Sequence, residues 1–192
     1  EKGYLSLEIV ARAEGGHSSM PHRDTAITIL ARAVERASAP FPAHFEGPGF
    51  AMLAALGPEM GFSTRLAIAN RELFAPLLEH QLAASPGTDA TLRTTVVPTI
   101  VSGGVKDNVV PPEARAVLNF RLFPGDTAAW VLAETERRIA DPRVEVRRLD
   151  DFGSEASAVS AADGWGFELV ARSLRETLPG VLVTPGLVIG AT

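Results

Sequence analysis

The residue of this 192-residue chain best placed to do chemistry is His17. It lies in the segment 15–21, GGHSSMP, between an apolar, β-prone run and a segment whose apolar residues recur at helical spacing. Two glycines let the backbone turn sharply, and Ser18 or Ser19 is predicted to cap the following helix. A turn held between two regular elements is a common position for functional side chains. A histidine that only makes local hydrogen bonds is the alternative.

A zinc-dependent hydrolytic site needs several histidine and carboxylate ligands, with a further carboxylate as general base. The remaining histidines are His22, His44 and His80, and none of the four belongs to a His-x-x-x-His or His-Glu-x-x-His pattern. We interpret His22 as a surface residue of a first helical turn, and His44 and His80 as residues of a loop and a helix. The sequence therefore predicts that this chain binds no zinc and hydrolyses nothing alone.

Composition excludes several other classes of protein. The net charge of −5 argues against nucleic-acid binding, which needs a basic face to neutralise phosphates. No apolar run approaches the length of a membrane span, and the first residues do not read as a signal peptide. The chain has no cysteine, which excludes disulfides and thiolate metal sites but leaves the localisation open.

The elements that would position these residues follow a recognisable order. The pattern predicts strands at 3–13, 90–102, 114–122 and 143–149, and helices at about 24–37 and 127–140. A helical insert, interrupted by prolines at 48, 58 and 76, occupies about 40–86. Without this insert the order is β-α-β-β-α-β, so we predict an α+β fold with the ferredoxin-like arrangement. Pro98 inside the second long strand predicts an edge position or a bulge.

The character of the sequence changes after Asp151. We expect 1–151 to form one domain, and 152–192 to be a linker followed by a helix to about 178 and a strand at 181–189. The chain starts at Glu1 without a methionine and stops in an apolar run. We therefore expect it to be an excised piece of a longer protein.

Three further segments follow the turn at His17, with the sequences TTVVPTIVSGG at 94–104, KDNVVPP at 106–112 and NFRLFPGD at 119–126. In this order the four segments resemble the dimerisation, or lid, domain of the di-zinc aminoacylase, Gly-X carboxypeptidase and succinyl-diaminopimelate desuccinylase family. The resemblance is close over about residues 1–150. It implies a homodimer formed through the lid, and two zinc ions held by a catalytic domain outside this chain. The implied substrates are N-acyl amino acids or peptides with a free carboxylate.

The resemblance also implies roles for individual residues. His17 matches a histidine that reaches the active site of the other subunit, where it would donate a hydrogen bond to the oxyanion of the transition state. Asn108 matches an asparagine that contacts substrate. An Asx turn before Pro111 is the alternative for this residue, because asparagine favours such turns.

Arg121 matches an arginine that grips the free carboxylate of the substrate, for which a guanidinium offers two parallel hydrogen bonds. Its alternation with Phe120 and Leu122 predicts that it lies on the sheet face opposite to them. A cross-strand salt bridge on an exposed face is the alternative. The ending Gly190-Ala191-Thr192 resembles the Gly/Ala-rich run that precedes an Asp-x-Arg turn where the family's chain re-enters the catalytic domain, although that Asp is not in this chain. The resemblance implies that Thr192 contacts substrate.

Two other functions compete with this interpretation. One is a stand-alone ferredoxin-like module that binds a ligand or regulates a partner as a dimer without metal, and the other is a purely structural dimerisation unit. A His-x-Asp sequence and a Glu-Glu pair upstream of Glu1 in the full reading frame would favour the amidohydrolase. The long insert favours its N-acyl-amino-acid and Gly-X carboxypeptidase branch.

Overall fold

The computed structural model describes residues 1–149 and 153–190, and its elements follow the predicted order. The strands are β1 (Gly3–Arg12), β2 (Gly16–His17), β3 (Thr95–Gly103), β4 (Val109–Val110), β5 (Glu113–Leu122) and β6 (Val144–Arg148). The helices are α1 (Ala26–Ala37), α2 (Pro48–Leu56), α3 (Phe62–Ala69), α4 (Arg71–Ala83), α5 (Pro86–Ala90), α6 (Ala128–Ile139) and α7 (Trp165–Thr177).

The chain divides into two units. The sheet unit contains Gly3–Phe41 and Thr94–Ala156, and the helical unit contains Glu1–Lys2, Pro42–Arg93 and Ser157–Thr192. The boundary predicted at Asp151 lies outside the described residues, so the division into 1–151 and 152–192 stays a prediction.

The sheet unit has the predicted ferredoxin-like arrangement. Its four long strands are antiparallel in the order β3-β5-β1-β6. Alternate side chains of β1 and β5 pack against α1 and α6, which together form one hydrophobic core. The large buried side chains of this core are Leu5, Leu7, Ile9, Ile29, Phe41, Leu118, Phe120, Leu122, Val131 and Ile139.

Strand β3 lies at an edge of the sheet, as Pro98 predicted. Its pairing with β5 shifts register between Pro98 and Ile100, so the strand also carries the predicted irregularity. Val97, Ile100 and Val101 are more than half exposed along it. This edge therefore presents an apolar strand to whose outer side no further strand is paired among the described residues.

Helix α1 begins later than the serines of the His17 turn, which corrects the predicted cap. Its N-cap is Thr25, whose hydroxyl accepts from the backbone N–H of Thr28, while the Thr28 hydroxyl accepts from the N–H of Thr25. This reciprocal pair satisfies the backbone N–H groups of Thr25 and Thr28. Ser18 and Ser19 lie too many residues before the helix to reach them.

The helical unit has its own small core, formed by side chains of α2, α3 and α4. The ammonium of Lys2 is buried and donates to the carbonyls of Ala90 and Arg93 at 3.0 and 2.8 Å. The guanidinium of Arg93 pairs with Glu79 and Asp89. These contacts tie the second residue of the chain to the end of the insert.

Two predictions for the helical unit were wrong. Pro76 lies inside α4 and does not interrupt it, because it is exposed and water can hydrate the carbonyl that loses its partner. The helix predicted before 178 is confirmed as α7, but the described residues of 181–190 form no strand. A strand needs a neighbouring strand to pair with, and only isolated backbone contacts reach this segment, such as Lys2 N–H to Val188 O. No helix in the described ranges is long and apolar enough to cross a membrane.

Candidate functional site

The turn that carries His17 and the loop that carries Asn108 are joined by the two-stranded sheet β2–β4. His17 pairs with Val109, and the backbone N–H of Ser18 donates to the carbonyl of Asn108 at 3.1 Å. Gly15 allows this close approach, since a Cβ there would lie 3.0 Å from the carbonyl oxygen of Val110. Two of the sequence-predicted residues are therefore brought together at one end of the sheet unit.

The imidazole of His17 is exposed and is held from one side. Its Nδ1 lies 2.8 Å from the hydroxyl oxygen of Ser19 and accepts the backbone N–H of Ser19 at 3.2 Å. Its Nε2 makes no hydrogen bond within the described ranges. The ring is thus anchored through Nδ1, with Nε2 available to another molecule.

Asn108 is also exposed, and its side chain takes part in no hydrogen bond of the described residues. The local turn is made by the backbone, in which the N–H of Val109 donates to the carbonyl of Lys106 at 3.2 Å. The amide of Asn108 is accordingly available for contact with a ligand beside His17.

Arg121 lies on the predicted face of β5, away from the core that buries Phe120 and Leu122. It is opposite Tyr4 on β1 and Thr95 on β3, and its guanidinium carbon is 4.9 Å from the centre of the Tyr4 ring. Its Nη1 is buried without a hydrogen-bond partner among the described residues. A buried, unpaired N–H of a charged group is costly, so this nitrogen is suited to an anionic ligand.

The cross-strand salt bridge considered for Arg121 is made instead by Arg115 and its neighbours. Arg115 pairs with Glu113 and, at 3.4 Å, with Glu8, which also accepts from Arg147 at 2.7 Å. The hydrogen bond from Arg115 lowers the pKa of Glu113 below its ordinary value. Sequence analysis missed this cluster, although the alternation of charged residues in β5 and β6 is a signal for it.

Arg121 and the pair His17 and Asn108 lie at opposite ends of the sheet. Arg121 faces Tyr4 near the start of β1, whereas the His17 turn follows Arg12 at its end. The backbone between Tyr4 and Arg12 spans about 26 Å at 3.3 Å per residue. One copy of the chain therefore does not place all three side chains around a small substrate.

No group of three or more metal-ligating side chains occurs within 1–149 and 153–190. The Nε2 atom of His22 lies 3.7 Å from the Oε2 atom of Glu14. His44 and His80 belong to the helical unit. These residues do not fit a zinc site, and Thr192 lies outside the described residues.

Comparison with known proteins agrees with this picture of the fold. Residues 1–147 match the family model of the peptidase dimerisation domain, M20_dimer. The chain is 38% identical over 195 residues to the N-fatty-acyl-amino acid synthase/hydrolase PM20D1 of Xenopus tropicalis, covering 100% of this chain and 38% of that protein. It is 33% identical over 192 residues to the probable carboxypeptidase S-like 2 of Dictyostelium discoideum, covering 100% of this chain and 37% of that protein.

A solved structure shows a related fold. It is the M20 family metallo-carboxypeptidase Sso-CP2 from Sulfolobus solfataricus, with a TM-score of 0.56 and 16% sequence identity over 100% of this chain and 53% of that one. The chain thus spans less than two fifths of the two curated relatives named above.

Proposed function

This chain belongs to the M20 peptidase dimerisation domain family, and we propose that it is the dimerisation and substrate-clamping domain of a zinc-dependent amidohydrolase or carboxypeptidase. The substrates we propose are N-acyl amino acids or peptides with a free carboxylate. The observation that carries the proposal is the pairing of β2 with β4, which sets His17 beside Asn108.

In this proposal His17 stabilises the transition state. When the scissile carbonyl becomes tetrahedral, its oxygen gains negative charge, and the Nε2–H of His17 donates a hydrogen bond to it. A donor aimed at charge that develops only in the transition state raises kcat more than it lowers KM. Removal of one such donor typically costs about 10²–10³ in rate. The amide of Asn108 contacts the substrate beside it.

Arg121 binds the free carboxylate of the substrate. The buried Nη1 without a protein partner supports this role, because a bidentate carboxylate satisfies two guanidinium N–H groups at once. Tyr4 supports the planar group from one side by a cation–π contact.

A two-fold dimer would bring the separated residues together. If two copies of β3 pair edge to edge about a two-fold axis, the strands run antiparallel. The end at Gly103, next to the His17 turn, then lies beside the partner's end at Thr95, next to Arg121. Each active site would receive His17 and Asn108 from one chain and Arg121 from the other.

We propose that the two zinc ions are bound by residues outside this chain, since its own described histidines and acids do not fit a metal site. When bound, such ions polarise the scissile carbonyl and activate a water molecule. Thr192 is proposed to contact substrate where 152–192 enters the catalytic domain. The names of two relatives support the substrate class, one an N-fatty-acyl-amino acid synthase/hydrolase and the other a probable carboxypeptidase S-like protein.

The test is His17→Ala in the full-length protein, assayed with long-chain and short-chain N-acyl amino acids. We expect kcat to fall about 10²–10³-fold with a much smaller change in KM and an unchanged zinc content. His22→Ala removes an exposed histidine from the same loop and is the matched control, with turnover close to that of the wild type. Normal turnover of His17→Ala would leave only a turn-forming role for His17. A full-length protein that holds no zinc would favour the metal-free binding module.

A further inference from the structure

The hydrogen bonds around His17 settle which of its ring nitrogens carries the proton. A backbone N–H can only donate, so the contact between Ser19 N and His17 Nδ1 at 3.2 Å requires Nδ1 to be an acceptor. A neutral imidazole has one N–H, which must then lie on Nε2. The Ser19 hydroxyl, 2.8 Å from the same Nδ1, is free to donate as well.

We propose that Ser19 is a positioning residue that fixes the Nε2–H tautomer of His17. This inference rests on the proposed function of His17 as a donor to the oxyanion. The opposite tautomer would present the lone pair of Nε2 to a negatively charged oxygen and would repel it. The backbone N–H of Ser19 excludes that tautomer, because protonation of Nδ1 would leave this N–H facing another N–H. The Ser19 hydroxyl can donate to Nδ1 or accept from it, so it holds the ring in place without selecting the tautomer.

The neighbouring serine offers a matched comparison. Ser18 contributes its backbone N–H to the carbonyl of Asn108, but its hydroxyl makes none of the hydrogen bonds within 1–149 and 153–190. Both serines are exposed in the same turn. Ser18→Ala and Ser19→Ala each remove one hydroxyl group, but only the hydroxyl of Ser19 touches the imidazole.

The direct test is the tautomer of His17 in this chain labelled with ¹⁵N-histidine. At pH 8, where an ordinary imidazole is neutral, long-range ¹H–¹⁵N correlation spectra should show Nδ1 of His17 without a proton and Nε2 with one. His80, which is exposed and makes no hydrogen bond or ion pair among the described residues, is the internal reference and should show a mixture of tautomers. A proton on Nδ1 of His17, or a mixture like that of His80, would overturn the proposal.

The variants extend this measurement. Ser19→Ala keeps the backbone N–H, so Nδ1 of His17 should stay without a proton, while the loss of the hydroxyl contact should shift the ring resonances of His17. Ser19→Thr should restore the wild-type spectrum and Ser18→Ala should leave it unchanged. A proton on Nδ1 of His17 in Ser19→Ala would show that the backbone N–H does not fix the tautomer, and would overturn the proposal.

In the full-length protein, Ser19→Ala is expected to lower kcat several-fold with little change in KM, and Ser19→Thr to recover it. These measurements distinguish failure of the role proposed for Ser19 from failure of the role proposed for His17. If His17→Ala keeps normal turnover while the tautomer is fixed, the catalytic role of His17 is wrong. If His17→Ala is slow while the tautomers are mixed, the role of Ser19 is wrong.

Discussion

Arg138 of helix α6 contacts the segment 39–41, which follows helix α1. Its guanidinium lies 3.9 Å from the centre of the Phe41 ring and donates to the carbonyl of Ala39 at 2.6 Å. Glu134, one turn earlier on α6, accepts from both Arg137 and Arg138. Hydrogen bonds, the larger effect coming from Arg137 and the smaller from Arg138, lower the pKa of Glu134 from 4.5 to about 2.

Glu134→Gln is therefore expected to destabilise the sheet unit in a pH-dependent way. A lowered carboxyl pKa stabilises the folded state above the unfolded pKa, and this stabilisation is lost as the pH falls from 4.5 toward 2. We expect a loss of about 1–2 kcal/mol at pH 7 that disappears near pH 2.

Thermal unfolding of both proteins at pH 7, 4 and 2 measures this difference. Glu136→Gln changes an exposed acid on the same helix that makes no described ion pair, and it should show no such pH dependence. A difference between Glu134→Gln and wild type that stays constant down to pH 2 would exclude the ion pairs as its origin.

Some of these side-chain arrangements are readable from the sequence and others are not. The face on which Arg121 lies follows from alternation along one strand, and it was predicted correctly. The shared use of Glu8 by Arg115 and Arg147 depends on the register of β1 with two strands more than a hundred residues away. That register is fixed by packing of the whole sheet, and a local pattern does not contain it.

Strand β3 lies at one edge of the sheet, and we expect self-association to occur there. Val101→Glu puts a charge on this edge at a position that is 67% exposed and outside the core. In a two-fold dimer the charge is repeated on the partner strand, so we expect the dissociation constant to rise at least about tenfold with little change in the stability of one chain.

Sedimentation velocity over a range of concentrations measures this change. Leu149→Glu is the control, since Leu149 is 44% exposed and follows β6 at the opposite edge of the sheet. If Leu149→Glu dissociates the dimer and Val101→Glu does not, the dimer forms through the other edge.

The long elements were predictable because their apolar residues repeat with the period of a helix or a strand. β2 and β4 were missed because two residues are too few to show a period, yet they join His17 to Asn108. The segment 181–189, expected to be a strand, has apolar residues but no neighbouring strand in the part of the chain that the structure describes. In both cases the deciding factor is the presence of a partner elsewhere in the chain.

At the scale of the whole molecule, an active site shared between two chains can be tested by mixing inactive variants. His17→Ala and Arg121→Ala, each in the full-length protein, should both be nearly inactive alone. After dissociation and random reassociation, half of the dimers contain one chain of each kind, and in each of these one site is intact. Activity should then return to about a quarter of the wild-type value.

The control is a mixture of His17→Ala with Asn108→Ala, which carry their lesions at the same end of the sheet. This mixture should restore no intact site, because one chain supplies both residues to each site, and its activity should stay at the level that each variant retains alone. Equal recovery in both mixtures would contradict the assignment of Arg121 to the partner chain.

The two tryptophans belong to different units and differ in exposure. Trp130 belongs to the sheet unit, is 40% exposed and packs against Phe41 with ring centres 5.7 Å apart. Trp165 belongs to the helical unit and is 80% exposed. Emission from Trp165 resembles that of an unfolded chain already, so the change in tryptophan emission on denaturation comes from Trp130. A fluorescence melting curve of this chain is therefore expected to record the unfolding of the sheet unit and not that of the helical unit.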